Sequence, residues 1–139
     1  YVGAILSVFK LWFDNGMVES VDEISDIIYN LINNAINYSG EDKHVSVVQT
    51  LIDDTVRVSI SDTGEGIDKE DLPYIWDRYY KVDKVHKRAT VGSGLGLSIV
   101  KGILEAHNAN YGVTSEVGVG SVFWFELVEV DPSEYGAEI

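Results

Sequence analysis

The order of elements in this chain predicts an α+β fold, a two-layer α/β sandwich in which helices cover one face of a mixed, mainly antiparallel sheet. Three observations predict it. An apolar stripe at helical spacing runs from Ile24 to Ile36, and two β-rich stretches, 44–62 and 111–127, are each broken by a tight turn. Helices and strands also fail to alternate as they do in a parallel doubly wound sheet. With 139 residues, 45% of them hydrophobic, the chain has material for one core and reads as a single domain over 1–139.

The run Tyr1 to Phe13 is apolar except for Ser7 and Lys10 and reads as a first strand, within the region 1–19. It is shorter than the roughly 20 apolar residues that cross a bilayer, and it lacks the basic flank and small-residue cleavage site of a signal peptide. The reading is therefore a segment that is not membrane-inserted and begins inside a longer protein. Asp14-Asn15-Gly16 marks a turn, and Ser20-Val21-Asp22-Glu23 has the capping-box pattern of a helix start. Ile24, Ile27, Ile28, Leu31, Ile32, Ala35 and Ile36 then follow the helical period, and Gly40 stops it.

From His44 to Ile52 and from Thr55 to Asp62 β-branched residues dominate, with Asp53-Asp54 between them, which predicts an antiparallel hairpin. Val56, Val58 and Ile60 share one face by the period of two, and Asp62 falls in phase with them. Its carboxylate should therefore point inward, where it needs a partner. Asp68 to Tyr80 reads as a short helix or turn interrupted by Pro73, followed by an aromatic cluster. Lys81 to Gly94 has little periodicity and reads as a mobile loop. Beyond Gly96 a second helix carries Leu97, Val100 and Leu104 on one side and ends near His107-Asn108. Strands Tyr111 to Val117 and Ser121 to Leu127 flank the turn Gly118-Val119-Gly120, and the tail 131–139 is polar.

Composition excludes some functions. A net charge of -13, from 23 acids against 10 bases, makes nucleic acid an unfavourable partner. Without cysteine there is neither a disulfide framework nor a thiolate metal site. Arg78, Lys81, Lys84, Lys87 and Arg88 concentrate half of the positive charge in one stretch, which fits either a local anion site or a solvated loop.

Three groups of residues carry chemistry. Asn30, Asn34 and Asn37 lie beside the apolar stripe with Tyr38 between the two faces; amide oxygens are hard ligands suited to Mg²⁺, and a plain polar helix face is the alternative. Asp62-Thr63-Gly64-Glu65-Gly66 puts a carboxylate that can accept from an exocyclic amine before two glycines that permit close backbone approach. A strand-ending Asp-Gly turn explains those glycines but not the inward phase of Asp62. Gly92-Ser93-Gly94-Leu95-Gly96-Leu97 stands where a loop becomes a helix, a place where backbone N–H groups and the helix dipole suit phosphate. No dinucleotide-binding βαβ context surrounds it and no Gly-Lys-Ser/Thr ending follows.

In order, Asn30 to Tyr38, Asp62 to Gly66, Trp76 to Lys81, Gly92 to Leu97 and Gly118 to Ser121 resemble the asparagine, glycine, aromatic, second glycine and closing glycine motifs of the histidine-kinase catalytic domain. The resemblance covers about 20–127 and places the chain in the GHKL ATPase superfamily, with Tyr79 to Asp83 and Gly96 to Lys101 resembling the kinase branch. It implies ATP and Mg²⁺ as cofactors. Asn34 would ligate Mg²⁺ with Asn30 supporting it, Tyr38 would pack on the adenine, and Asp62 would hold the adenine amine with Gly64 and Gly66 making room. Lys81 would approach the terminal phosphate, and Gly94, Leu95 and Gly96 would bring backbone amides to the phosphates.

The resemblance further implies transfer of the γ-phosphoryl group to a histidine on separate dimerisation and acceptor helices, then to a response regulator. The parent would be anchored in the bacterial inner membrane with this domain cytoplasmic. His44, His86 and His107 do not lie in an acceptor-like helical hairpin, so none reads as the phosphoacceptor. Two other readings stay open: a regulatory nucleotide-binding module with little transfer, and a hydrolytic dimer clamp, against which Asn30 stands where that branch carries its acid. Asn37 replaces a common Lys or Arg, and Trp76 stands at the usual Phe of the aromatic motif.

Overall fold

The computed structural model describes residues 21–42, 44–78 and 96–128. Helix α1 (Val21–Tyr38) is followed by strands β1 (Val45–Ile52) and β2 (Thr55–Asp62), a 3₁₀ turn (Leu72–Tyr74), helix α2 (Gly96–Ala106) and strands β3 (Tyr111–Glu116) and β4 (Gly120–Val128). The strands form one sheet in the order β1-β2-β4-β3, and all three pairings among the described residues are antiparallel. The proposed first strand, the loop 81–94 and the tail lie outside the described residues.

Each element follows from its residues. Asp22 and Glu23 place negative charge in the first turn of α1, where the helix dipole favours it. The β1–β2 turn puts Asp53 at φ 55, a conformation that Asp tolerates better than most residues. Helix α2 ends with Asn108 at φ 54, and the Ala109 N–H reaches back to the Leu104 carbonyl at 2.9 Å, a Schellman-type stop built on Asn in place of Gly. The predicted end at His107-Asn108 is therefore where the helix stops.

Strand β2 alternates strictly, with Val56, Val58, Ile60 and Asp62 buried. Val58 lies opposite Phe125, Ile60 opposite Phe123 and Val56 opposite Leu127, so cross-strand pairs build the inner face of the sheet. Ile24, Ile27, Ile28, Leu31 and Ala35 of α1, with Val100 and Leu104 of α2, cover that face. Each fully buried side chain of this kind contributes about 1.5–3 kcal/mol relative to exposure. Ile36 departs from the predicted stripe and is 47% exposed. At 3.6 residues per turn it sits roughly 120° round the helix from the stripe's centre, so it faces away from the sheet.

The outer face is organised separately. Arg57 forks onto Glu126 at 2.8 and 3.1 Å, and its guanidinium lies 3.9 Å over the Trp124 ring. The ring covers Gly112, where a Cβ would stand 2.7 Å from it.

Candidate active site

Asp62 ends β2 with its side chain in the buried phase and is only 7% exposed. A carboxylate so placed must be hydrogen-bonded, and one of its oxygens accepts the Gly64 N–H at 2.9 Å. The loop that follows is fixed on both sides. A Cβ at Gly64 would fall 1.7 Å from the Tyr38 carbonyl, so only glycine lets the end of α1 meet this loop. Gly66 adopts φ 77, and a Cβ there would fall 2.2 Å from the Glu116 carbonyl at the end of β3. The protein's own backbone thus requires both glycines that the sequence offers as room for a base.

Asp42, Ser115 and Gly118 further hold the loop, and of these Gly118 lies in a motif singled out from the sequence, the closing Gly118 to Ser121. Thr63 Oγ1 donates to Asp42 Oδ1 at 2.8 Å, and this hydroxyl is the main reason the Asp42 carboxyl lies below its usual 3.8. The Gly118 N–H donates to the Glu65 carbonyl at 2.8 Å, and the Ile67 N–H donates to Ser115 Oγ at 2.7 Å. Asp42 and Ser115 carry no sequence signal of their own, because their partners come from other segments.

The asparagine face of α1 runs from this loop toward α2. Asn30 Nδ2 donates back to the Asp26 carbonyl at 2.8 Å, and Asn30 Oδ1 would lie 3.1 Å from a Cβ at Gly96, the first residue of α2. Tyr38 therefore meets the Asp62 loop while Asn30 meets the opening of α2. Eight residues separate them, about 12 Å along a helix axis, with half-buried Asn34 midway. One end offers a buried carboxylate and the other a helix N-terminus suited to anions. Lys81, Gly94 and Leu95 lie outside the described residues, as do Tyr79, Tyr80 and the basic cluster from Lys81 to Arg88.

Trp76 belongs to the core edge. Its ring meets Tyr111 at 4.9 Å and Phe123 at 5.6 Å, both edge-to-face. Among the histidines, His107 Nε2 pairs with Glu23 Oε2 at 2.7 Å across the two helices, and exposed His44 lies 3.4 Å from Ser46 Oγ; His86 lies outside the described residues. Among the described residues no group of three or more His, Cys, Asp or Glu side chains stands together as a metal site.

The α1 face spans from a buried Asp at a glycine loop to a second helix N-terminus, and the sequence profile of histidine kinase-, DNA gyrase B- and HSP90-like ATPases matches residues 19–131. The chain belongs to this ATPase family. ATPases of this histidine kinase, gyrase B and HSP90 type include close matches among sensor kinases. The sensor-like histidine kinase SenX3 of Mycolicibacterium smegmatis is 38% identical over 112 residues, covering 80% of this chain and 29% of that protein. The sensor histidine kinase WalK of Bacillus subtilis is 37% identical over 108 residues, covering 76% of this chain and 18% of that protein. The chain thus spans less than a third of the length of these relatives.

Solved structures superpose on the chain. Full-length ShkA in complex with AMPPNP superposes with a TM-score of 0.64 at 29% identity, over 78% of this chain and 22% of that one. The mycobacterial sensor histidine kinase MprB gives 0.70 over 91% and 93% of the two chains at 20% identity, a likeness of fold. No helix among the described residues is long and apolar enough to cross a membrane.

Proposed function

We propose that this chain is the ATP-binding catalytic domain of a two-component sensor histidine kinase, acting on a histidine carried by separate dimerisation and acceptor helices. The observation that carries the reading is the α1 face bracketed by the Asp62 loop at Tyr38 and by Gly96 at Asn30. The kinase relatives and the AMPPNP-bound neighbour favour phosphoryl transfer over the other activities of the family.

In this reading the Asp62 carboxylate accepts from the adenine amine and Tyr38 packs on the base. The amides at Gly94, Leu95 and Gly96, with Lys81, hold the phosphates. The residues present fit Mg²⁺: Asn34 offers an amide oxygen midway between base and phosphates, and Asn30, whose Nδ2 is engaged with Asp26, keeps its oxygen on the α2 side. With no carboxylate cluster among the described residues, the ion would be held mainly by phosphates and waters, as Mg²⁺ commonly is, and would supply charge neutralisation.

The chain's part in transfer is positioning. A neutral imidazole nitrogen of the acceptor attacks the γ-phosphorus in line, the bond from that phosphorus to the bridging oxygen breaks, and ADP leaves with the electron pair. The phosphoryl group then passes to an aspartate of a response regulator. Because ATP is cytosolic, the same reading places this domain in the cytoplasm of a parent anchored in the inner membrane.

The test uses γ-labelled ATP. The chain alone is expected to bind ATP without becoming labelled, and to place acid-labile label on the acceptor helices of its own kinase when these are supplied separately. Transfer should be slow, because separating the pieces removes an effective concentration that reaches roughly mM for a short flexible linker. ATP binding without label on the cognate helices would favour a regulatory nucleotide-binding module instead, and label on His44, His86 or His107 would place the acceptor within the chain.

A further inference from the structure

We infer that Ser115 is a positioning residue for nucleotide recognition: from β3 its hydroxyl fixes the loop that holds Asp62. The inference rests on the assignment of Asp62 to the adenine amine.

The Ser115 hydroxyl is the meeting point of three contacts. It lies 2.7 Å from the Ile67 nitrogen, 2.8 Å from Ser121 Oγ and 3.1 Å from the Gly120 carbonyl. A serine hydroxyl has one proton and two lone pairs. One assignment satisfies all three contacts: Ser115 accepts from the Ile67 N–H and from the Ser121 hydroxyl, and donates to the Gly120 carbonyl. Each partner adjoins Asp62 or its loop. Ile67 follows Gly66, whose φ of 77 turns the chain, and buried Ser121 lies directly opposite Asp62 in the β2–β4 register. Gly120 packs so closely under Asp62 that a Cβ there would fall 2.0 Å from the Asp62 carbonyl.

Side-chain hydrogen bonds therefore tie the loop to other segments besides its own Asp62–Gly64 bond. Thr63 to Asp42 is exposed, whereas Ser115 to Ile67 is partly buried and bridges 48 residues. Without the Ser115 hydroxyl, the Ile67 N–H loses its acceptor and the Ser121 hydroxyl its bridge. The segment from Gly64 to Ile67 then keeps the Gly118–Glu65 backbone bond but loses its hydrogen bond to β3, and a shift at Ile67 redirects the Asp62 carboxylate.

The experiment compares ADP with inosine diphosphate, which carries a carbonyl in place of the exocyclic amine, by calorimetry on the chain and its Ser115→Ala and Ser115→Thr variants. ADP affinity is expected to fall about tenfold in Ser115→Ala, with inosine diphosphate changing by less than about twofold, because a misdirected carboxylate costs only the ligand that uses it. Ser115→Thr should restore the preference. An equal fall for both nucleotides, or no fall, would overturn the inference, since a serine that only stabilises the fold has no means of telling the two bases apart. Absence of any ADP preference in the unmodified chain would remove the Asp62 assignment and this inference with it. Should Ser115→Ala not fold, amide exchange of the unmodified chain decides: the Ile67 amide is expected to be strongly protected without nucleotide, and exchange at the rate of an unstructured chain would overturn the inference.

Discussion

Asp42 and Thr63 stand 21 residues apart, and their 2.8 Å hydrogen bond joins the segment after α1 to the loop that follows Asp62. The Thr63 hydroxyl favours the charged form of Asp42 and holds its carboxyl below the usual 3.8. A depressed carboxylate gives stability that is fully present above the unfolded value and is lost as pH falls through the folded one. The stability advantage of the unmodified chain over Thr63→Val should therefore hold above pH 3.8 and close below it. Carboxyl NMR titration checks the cause directly, since the Asp42 midpoint should return toward 3.8 in Thr63→Val. An unchanged midpoint would mean that another group holds the charge. Nothing in the local sequence of either residue announces the pair, whereas Asp62 was legible because a period of two fixes its face without any knowledge of the partner strand.

At the scale of elements, glycines separate sites where backbones meet from sites where they do not. Gly64 has the Tyr38 carbonyl 1.7 Å from where a Cβ would sit, while Gly102, exposed in the interior of α2, has nothing within 4 Å. Gly64→Ala should push the end of α1 away from the loop and cost about 1–3 kcal/mol, the range of an overpacked site. Gly102→Ala should instead gain about 0.5–1 kcal/mol, because alanine loses less backbone freedom on folding. Urea denaturation midpoints measure both, and a neutral Gly64→Ala would show that helix and loop do not approach as closely as described. The sequence marks Gly64 as a motif glycine, but that its neighbour is the Tyr38 carbonyl is set by packing alone. Helix α1 shows the complementary lesson: Ile24, Ile27, Ile28, Leu31 and Ala35 follow the stripe and are buried, but Ile36, apolar and adjacent, faces out because the helix angle carries it past the sheet.

For the whole molecule, 23 acidic against 10 basic side chains give a net charge of -13. Self-repulsion of this size disfavours the compact state, and salt screens it over a Debye length of about 10 Å at 0.1 M. The melting temperature should therefore rise as NaCl is increased from low ionic strength, with most of the gain complete by roughly 0.5 M, where that length falls well below the spacing of surface charges. A fall with added salt would mean that attractive pairs such as Arg57–Glu126 and His107–Glu23 outweigh the repulsion.

The sequence by itself determined the class of fold, the two helices, the two hairpins, the inward phase of Asp62 and the family. These follow from short-range periodicity, turn residues and motifs, in which each residue needs only its neighbours along the chain. The tertiary structure alone decided that Tyr38 meets Gly64 and that Asn30 meets Gly96, so that one helix face spans from the carboxylate to the opening of α2. It alone placed Ser115 and Asp42 as anchors of the loop and turned Trp76 into the edge of the core. Such contacts join segments tens of residues apart, and a hydroxyl or a glycine acquires its role only when packing brings a partner within a few ångströms of it.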